Sequence, residues 1–140
     1  MSWLLDANIV SELRKGSRCD ANVAAWYAQV ESGELFMSVL TLGEIRKGVE
    51  RMRRRDPAQA RMLERWLADL GTIYADRLIA VDRDIADAWG RVAAIRTLPV
   101  IDGLLAATAR TRDLTLVTRN VDDVAGLGAK LLNPFLPSRG

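Results

Sequence analysis

Four acidic residues, distant from one another in the sequence, are candidates for a shared chemical role. They are Asp6, Glu44, Asp102 and Asp123. Carboxylates are hard oxygen ligands that select Mg²⁺ or Mn²⁺, and several of them at close range oppose folding unless a cation joins them. A divalent ion in such a cluster can activate a bound water and stabilise the charge that develops on a phosphodiester. These residue types therefore favour metal-assisted hydrolysis of a nucleic-acid backbone.

The residues that the chain lacks exclude other chemistries. The sequence contains no histidine and a single cysteine, Cys19. Mechanisms of the Ser-His-Asp, Cys-His and histidine acid–base types are therefore excluded, and the usual zinc ligands are missing. Cys19 cannot form a disulfide within the chain. Any bound metal must be held by oxygen atoms.

The charge balance suits a polyanionic substrate. The chain has 20 Lys and Arg against 18 Asp and Glu, and setting the four acids aside as a metal site leaves 14 acids against those 20 bases. Of the bases, 17 are Arg, which offers planar bidentate contacts to phosphate. Codon bias toward arginine would produce the same composition, so the arginine content is compatible with a polyanionic substrate but does not by itself predict one.

Each acid also has a purely structural explanation. Asp6 and Asp102 can cap the helices that follow them, and Asp123 can be an ordinary turn residue. Glu44 can pair with Lys47 one helical turn away, a contact worth roughly 0.2 to 0.5 kcal/mol. The functional interpretation therefore depends on the four acids meeting at one place.

Two glycines beside Glu44 have two explanations. Gly43 and Gly48 lie in the same predicted helix, where each costs about 1 kcal/mol relative to Ala. Either they leave room for a ligand beside the carboxylate, or they allow another helix to pack closely.

Hydrophobic periodicity and turn residues predict the elements that position these acids. The predicted strands cover residues 2–5, 35–38, 78–81, 114–118 and 130–133. The predicted helices begin near Ile9, after Asp20, at Val39, after Asp56, after Asp82 or Asp84, and near Ile101. Pro99 is expected to close the fifth helix, and Asp122 and Asp123 are expected to lie in a turn.

Short apolar strands alternating with helices predict an α/β fold. We expect a three-layer α/β/α sandwich around a parallel sheet of four to five short strands. In such sheets, ligands bind beyond the carboxyl ends of the strands. Asp6, Glu44, Asp102 and Asp123 all fall at that edge, where the helix N-termini beneath Asp6 and Asp102 are expected to keep both groups ionised.

Length and hydropathy predict one soluble, cytoplasmic domain. A chain of 140 residues with 49% hydrophobic content supports one core, and we expect a single nuclease domain over residues 1–136 with a loose tail at 137–140. No apolar run approaches the roughly 20 residues needed to cross a bilayer, and Asp6 interrupts the N-terminus before a signal peptide could form. No membrane association is expected.

Five motifs, in order, resemble a known family. They are SWLLDANIVSEL, MSVLTLGEIRKGVE, VIDGLLAATA, LTLVTRNVDDV and LLNPF. Over nearly the whole chain they resemble PIN-domain proteins, most closely the VapC-type toxins of bacterial type II toxin–antitoxin pairs. The resemblance implies a PIN-like fold and a Mg²⁺- or Mn²⁺-dependent endoribonuclease.

The resemblance also implies roles for individual residues and partners. It makes Asp6, Glu44, Asp102 and Asp123 the catalytic, metal-binding acids, with Asp123 favoured over Asp122. Residues that would orient these ligands are Asn8, Ser38, Thr118 and Asn120. Arg119, beside the last motif, is a candidate phosphate ligand. The implied partners are an RNA substrate, a second copy of the chain in a homodimer, and a small antitoxin protein whose tail occludes the site.

A cluster of arginines has three possible explanations. Its members are Arg51, Arg53, Arg54 and Arg55, with Arg61 and Arg65 further along. They can guide RNA, bind an acidic antitoxin, or form a solvated helix end.

Two other functions compete with the ribonuclease hypothesis. An aspartate-nucleophile phosphatase also has an acid after the first strand, but it normally has a second Asp two residues later, where this chain has Asn8. A non-catalytic RNA-binding or regulatory PIN relative is the second alternative, and the retained acids argue against it.

Overall fold

A five-stranded parallel sheet forms the centre of the fold. The computed structural model describes residues 1–137, so residues 138–140 of the predicted tail lie outside the described residues. The strands are β1 (Trp3–Leu5), β2 (Leu35–Ser38), β3 (Leu78–Ile79), β4 (Thr115–Val117) and β5 (Lys130–Leu132). Their order is β3-β2-β1-β4-β5, and every pairing is parallel. The predicted fold class is confirmed.

Helices cover both faces of this sheet. They are α1 (Ala7–Arg14), α2 (Ala21–Gln29), α3 (Val39–Arg55), α4 (Pro57–Ile73), α5 (Arg83–Ile95), α6 (Val100–Thr111) and α7 (Val121–Val124). Single 3₁₀ turns at Gly16–Arg18 and Ser32–Glu34 complete the connections. Within the described residues, no helix has both the length and the apolar character needed to cross a membrane.

Successive side chains of the central strands point to opposite faces of the sheet, so the core consists of two clusters. Leu5 and Val117 point to one face, where α1, α3 and α4 contribute buried apolar side chains. Leu4 and Leu116 point to the other face, which α5, α6 and α7 cover. Because both faces are covered, the central strands are apolar except at Ser38 and Thr115, as expected for a parallel sheet.

Three expectations about local structure are wrong. The strand predicted for 78–81 ends at Ile79, because Ile79 pairs with Ser38, the last residue of β2, and later residues have no partner. Pro99 does not close α5, which ends at Ile95; it stands just before α6, where its fixed φ and missing N–H are suited to a helix start. The predicted turn at Asp122 and Asp123 is the one-turn helix α7.

Exposed ion pairs join α3 to α4. Arg46 and Arg53 of α3 each bind Glu64 of α4, with N···O distances of 2.7 and 3.0 Å. The same two arginines bind Glu50 at 3.1 and 3.0 Å. The hydrogen bonds from Arg53 and Arg46 lower the pKa of Glu50 to about 2. The negative charge of Glu50 is therefore engaged within this ion cluster.

Replacing Glu50 by Gln should lower the free energy of unfolding at neutral pH, with a difference that vanishes in acid. The pKa of Glu50 is depressed from 4.5 to about 2 on folding, so its contribution is full above the unfolded pKa and is lost as pH falls through that window. Urea titrations from about pH 7 to about pH 2 measure the effect, which should fall progressively below about pH 4.5 and which added salt should weaken. A difference that grew toward acid would contradict this prediction.

Candidate active site

Asp6 lies at the junction between β1 and α1. Its side chain is 8% exposed, and its Oδ1 accepts a hydrogen bond from the backbone N–H of Ile9 at 3.0 Å. Its own N–H donates to the carbonyl of Val117 at 3.2 Å. The helix-capping explanation is thus correct for Asp6, but one carboxylate oxygen is enough for the cap. The Thr118 side chain also hydrogen bonds to this carboxylate.

Burial decides the ionisation of Asp6. Desolvation raises its pKa above the ordinary value; hydrogen bonds from the Thr118 side chain and from the N–H groups of Ile9 and Asn8 oppose this, and the negative charge of Asp102 raises it further. The net direction is upward, so burial outweighs the hydrogen bonds at the helix N-terminus, and folding makes the charged form of Asp6 less favourable than it is in water. Removal from water outweighs the helix dipole here.

Asp102 is the acid at which the other three converge. It stands in the first turn of α6 and is partly buried. Burial raises its pKa, and the negative charges of Asp123 and Glu44 raise it further. Folding therefore makes the charged form of Asp102 less favourable as well. Because Asp6 also experiences the charge of Asp102, the fold brings all four predicted acids into one electrostatic cluster.

Three of the acids share a cavity. Asp6, Glu44 and Asp102 line an opening of about 370 Å³, together with Asn8 and Lys47. A second, smaller void of about 10 Å³ lies deeper, and Asp6 and Asp102 both border it. That volume approximates the space needed by one water-sized guest. The two aspartates therefore border both spaces, and Glu44 lines the larger one.

The two neighbouring acids of α7 lie on different surfaces. Asp123 is exposed and lines neither of these spaces, although its charge reaches Asp102. The guanidinium of Arg96 donates a hydrogen bond to the main-chain oxygen of Asp123. Asp122 lines a separate apolar cavity with Trp26. Of the two, Asp123 is the one near the cluster.

The four residues expected to orient the acids have different positions. Thr118 is buried and hydrogen bonds to Asp6, and its hydroxyl accepts the N–H of Asn120 at 3.2 Å. Asn8 lines the larger cavity, and Asn120 borders the smaller void. Ser38 lines neither, but its hydroxyl accepts the N–H of Leu40 at 3.1 Å and so caps α3, the helix that carries Glu44.

Two cavity residues were missed from the sequence. Thr41 and Lys47 stand one helical turn on either side of Glu44 and line the same cavity, a spacing that could have revealed them. The Thr41 hydroxyl is buried and donates to the carbonyl of Leu5 at 3.4 Å. Arg119 does not line either space; its guanidinium lies 4.5 Å from the ring centroid of Phe135. The geometry gives Arg119 no contact with the acids.

The glycines of α3 are not explained by close packing. A Cβ atom added at Gly43 or Gly48 would meet nothing within 4 Å. Gly48 instead lines a cleft of about 290 Å³ with Asn8 and Glu44. Gly103 differs, because a Cβ there would lie 3.1 Å from Cδ1 and 3.2 Å from Nε1 of Trp89. A larger residue at this position, next to Asp102, would therefore need the Trp89 ring to move by a few tenths of an ångström.

The donors fit a hydrated Mg²⁺ or Mn²⁺ ion. Within the described part of the chain, no group of three or more His, Cys, Asp or Glu side chains is close enough to hold one ion by itself. Mg²⁺, however, keeps several waters and is usually bound through one or two carboxylates plus substrate phosphate. Asp6 and Asp102, which border one void and have raised pKa values, match that requirement.

Comparison with known proteins agrees with this geometry. The PIN domain model matches residues 3–126. Ribonuclease VapC14 of Mycobacterium tuberculosis (strain CDC 1551 / Oshkosh) is 45% identical over 69 residues, which span 49% of this chain and 66% of that protein. The chain therefore covers just under two thirds of that relative.

Solved structures match over almost the full length. The crystal structure of FitAcB from Neisseria gonorrhoeae superposes with a TM-score of 0.85 at 24% identity, covering 95% of this chain and 98% of that chain. A toxin-antitoxin complex from Klebsiella pneumoniae gives a TM-score of 0.68 at 25% identity, with the same coverage of 95% and 98%. The first comparison supports the fold alone.

Asp102→Asn should stabilise the metal-free protein at neutral pH. Burial and neighbouring negative charges raise the pKa of Asp102 on folding, so ionisation costs stability above that raised pKa, whereas the cost is absent below the unfolded pKa. Thermal unfolding in EDTA should show a Tm several degrees above wild type at about pH 7, with no difference at about pH 3. Asp122→Asn, at the neighbouring exposed acid, is the matched control and should not shift Tm. A lower Tm for Asp102→Asn at neutral pH would refute the repulsion.

Gly103→Ala and Gly48→Ala should have opposite effects. The first forces the Trp89 ring to shift, at a cost of about 1 to 3 kcal/mol. The second meets no atom and gains about 1 kcal/mol in helix propensity. Chemical denaturation of both variants measures this difference. Equal stabilities would show that the Trp89 contact does not constrain α6.

Proposed function

Since this chain belongs to the PIN-domain family, whose model matches residues 3–126, we propose that it is a metal-dependent endoribonuclease, the toxin of a toxin–antitoxin pair. One observation carries the proposal: Asp102 shares a cavity with Asp6 and Glu44 and experiences the charge of Asp123. The 45% identity with a protein named as a ribonuclease supports the reaction type. The ion is Mg²⁺ or Mn²⁺, since all the donors are oxygens.

Asp6 and Asp102 are the residues that hold the ion. When bound, the ion supplies a polarised water and positive charge for the phosphodiester. The raised pKa values of both aspartates mean that their charged forms need a cation, so repulsion in the metal-free protein favours metal binding. Thr118 keeps Asp6 oriented by its hydrogen bond.

Glu44 and Asp123 complete the catalytic set. Glu44 faces the same cavity from α3 and is placed to accept the proton of a water that attacks phosphorus. Asp123 adds negative charge from α7. Lys47, which also lines the cavity, offers an ammonium group to a phosphate oxygen. Attack by water breaks one P–O bond, and the leaving oxygen takes a proton.

The remaining proposals concern organisation and partners. Residues 1–136 form one nuclease domain that acts on cytoplasmic RNA. A small antitoxin protein binds across the cavity and blocks it, and two copies of the chain form a homodimer. The similarity to a chain from a toxin-antitoxin complex, at 25% identity over 95% of this chain, supports an antitoxin partner.

Neither competing function has an observation in its favour. A phosphatase of the aspartate-nucleophile type would need a second acid where Asn8 stands. A non-catalytic relative would have no need for Asp6 and Asp102, two neighbouring carboxylates whose ionisation burial and repulsion disfavour. The clustering of these acids around Asp102 therefore supports catalysis.

Cleavage of single-stranded RNA tests the proposed function. Wild type should cleave with Mg²⁺ or Mn²⁺ and stop in EDTA. Asp6→Asn retains the cap of α1, since Asn also caps helices well. Asp6→Asn and Asp102→Asn, tested as two separate variants, should each lower the cleavage rate by more than roughly 100-fold. Loss of a residue that only orients a ligand has a smaller effect. Asp122→Asn should cleave normally. If both active-site variants cleaved like wild type, the nuclease would be a contaminant.

A further inference from the structure

A cleft lined by cations lies on the outer face of α3. Its lining residues are Lys47, Glu50, Arg51, Arg54 and Arg55, and its volume is about 680 Å³. The four cations are exposed and recur at helical spacing, so their side chains project from one side of the helix. At about 1.5 Å per residue, the strip from Lys47 to Arg55 extends roughly 12 Å along the axis.

This basic cleft adjoins the acidic cavity. Lys47 lines both the cleft and the cavity that contains Asp6, Glu44 and Asp102. The cleft begins one helical turn beyond Glu44 and runs toward the C-terminal end of α3. A chain that leaves the acidic cavity in this direction passes directly onto the cations.

The positive charge of the cleft is not neutralised. Glu50 is the acid that lines it, and its carboxylate is bound by Arg46 and Arg53, which do not line the cleft. In the described part of the chain, Lys47, Arg51, Arg54 and Arg55 form no ion pair with an acid. Four positive charges therefore face solvent beside a catalytic centre.

We propose that Lys47, Arg51, Arg54 and Arg55 form a phosphate track that holds the backbone of single-stranded RNA on one side of the bond being cut. The inference rests on the proposed function, since it identifies how that site holds its substrate. Phosphates next to the cleaved one are repelled by the acid cluster, and a strip of cations starting at its border offsets that repulsion. Arginine also binds phosphate oxygens in a bidentate manner.

The cleft adjoins the acidic cavity, and this position favours RNA over an acidic protein as its ligand. An RNA backbone bound beside Asp6 and Asp102 can extend past Lys47 into the cleft, whereas no contact in the structure requires an acidic peptide there. The track also gives a role to three members of the arginine cluster, Arg51, Arg54 and Arg55. Arg53 belongs instead to the ion cluster with Glu50 and Glu64.

A triple variant of the track arginines tests this proposal. Arg51→Gln, Arg54→Gln and Arg55→Gln remove three charges while keeping good helix formers, and Lys47 stays because it lines the catalytic cavity. The control triple, Arg61→Gln, Arg65→Gln and Arg83→Gln, removes the same charge from exposed positions outside the cleft. Circular dichroism and thermal unfolding check that both variants are folded.

Binding is measured first, without turnover. A fluorescent oligouridylate is titrated against each chain in EDTA over a series of salt concentrations. The plot of log affinity against log salt has a slope of about 0.7 per phosphate contact on a single strand, so the track variant should lose about 2 from that slope. The control variant should keep the wild-type slope. Equal slopes for the two variants would overturn the track.

Turnover assays then distinguish substrate binding from catalysis. With Mg²⁺, the track variant should raise KM for long single-stranded RNA by about tenfold or more, a change of about 1.4 kcal/mol, while its rate on bis(p-nitrophenyl) phosphate stays at the wild-type value. If the track variant bound RNA normally but lost affinity for polyglutamate, the cleft would be a site for an acidic protein, and the RNA assignment would be wrong. A chain that binds RNA through the track but cleaves neither substrate would refute the proposed function and support the track.

Discussion

Burial of two neighbouring carboxylates, Asp6 and Asp102, at one edge of the sheet is the constraint on which the rest of this structure depends. Asp6 is almost fully buried, Asp102 lies beside it, and Glu44 and Asp123 add further negative charge. Without a cation, burial and repulsion raise the pKa of both aspartates. Folding therefore disfavours the charged forms of Asp6 and Asp102, and in the proposed function a divalent ion bound between them would offset that cost.

The rest of the fold holds these carboxylates in place despite that cost in free energy. All strand pairings are parallel, so β1 and β2 end at the same edge and place Asp6 and the start of α3 side by side. Two apolar clusters, one on each face, fix the sheet. Caps at Asp6 and Ser38 fix where α1 and α3 begin. Asp6 serves both purposes, since one oxygen caps α1 while the carboxylate borders the void shared with Asp102.

Local sequence patterns predicted the features that depend on residues close in sequence. They failed for features that depend on residues distant in sequence. The parallel sheet, the helices and the clustering of the acids followed from periodicity and from the rule for strand ends. β3 was predicted too long because the length of its partner, β2, is a property of the sheet. The upward shift in the pKa of Asp6 and Asp102 was not predicted because its largest cause is burial, which the sequence does not show. Arg119 was favoured by its place in a motif, yet its guanidinium lies over Phe135, whereas Lys47 reaches the cavity.

Charge on this molecule is thus divided between an acidic cavity and an adjoining basic cleft, with Lys47 at their border. In the proposed function, the carboxylates of the cavity bind a divalent cation, and the basic side chains of the cleft bind the phosphates of the RNA strand. The most direct test of the central claim is anomalous diffraction from crystals grown with Mn²⁺. A manganese peak between the carboxylates of Asp6 and Asp102 is the predicted result. A well-ordered site with no such peak, or a peak bound elsewhere on the chain, would contradict it.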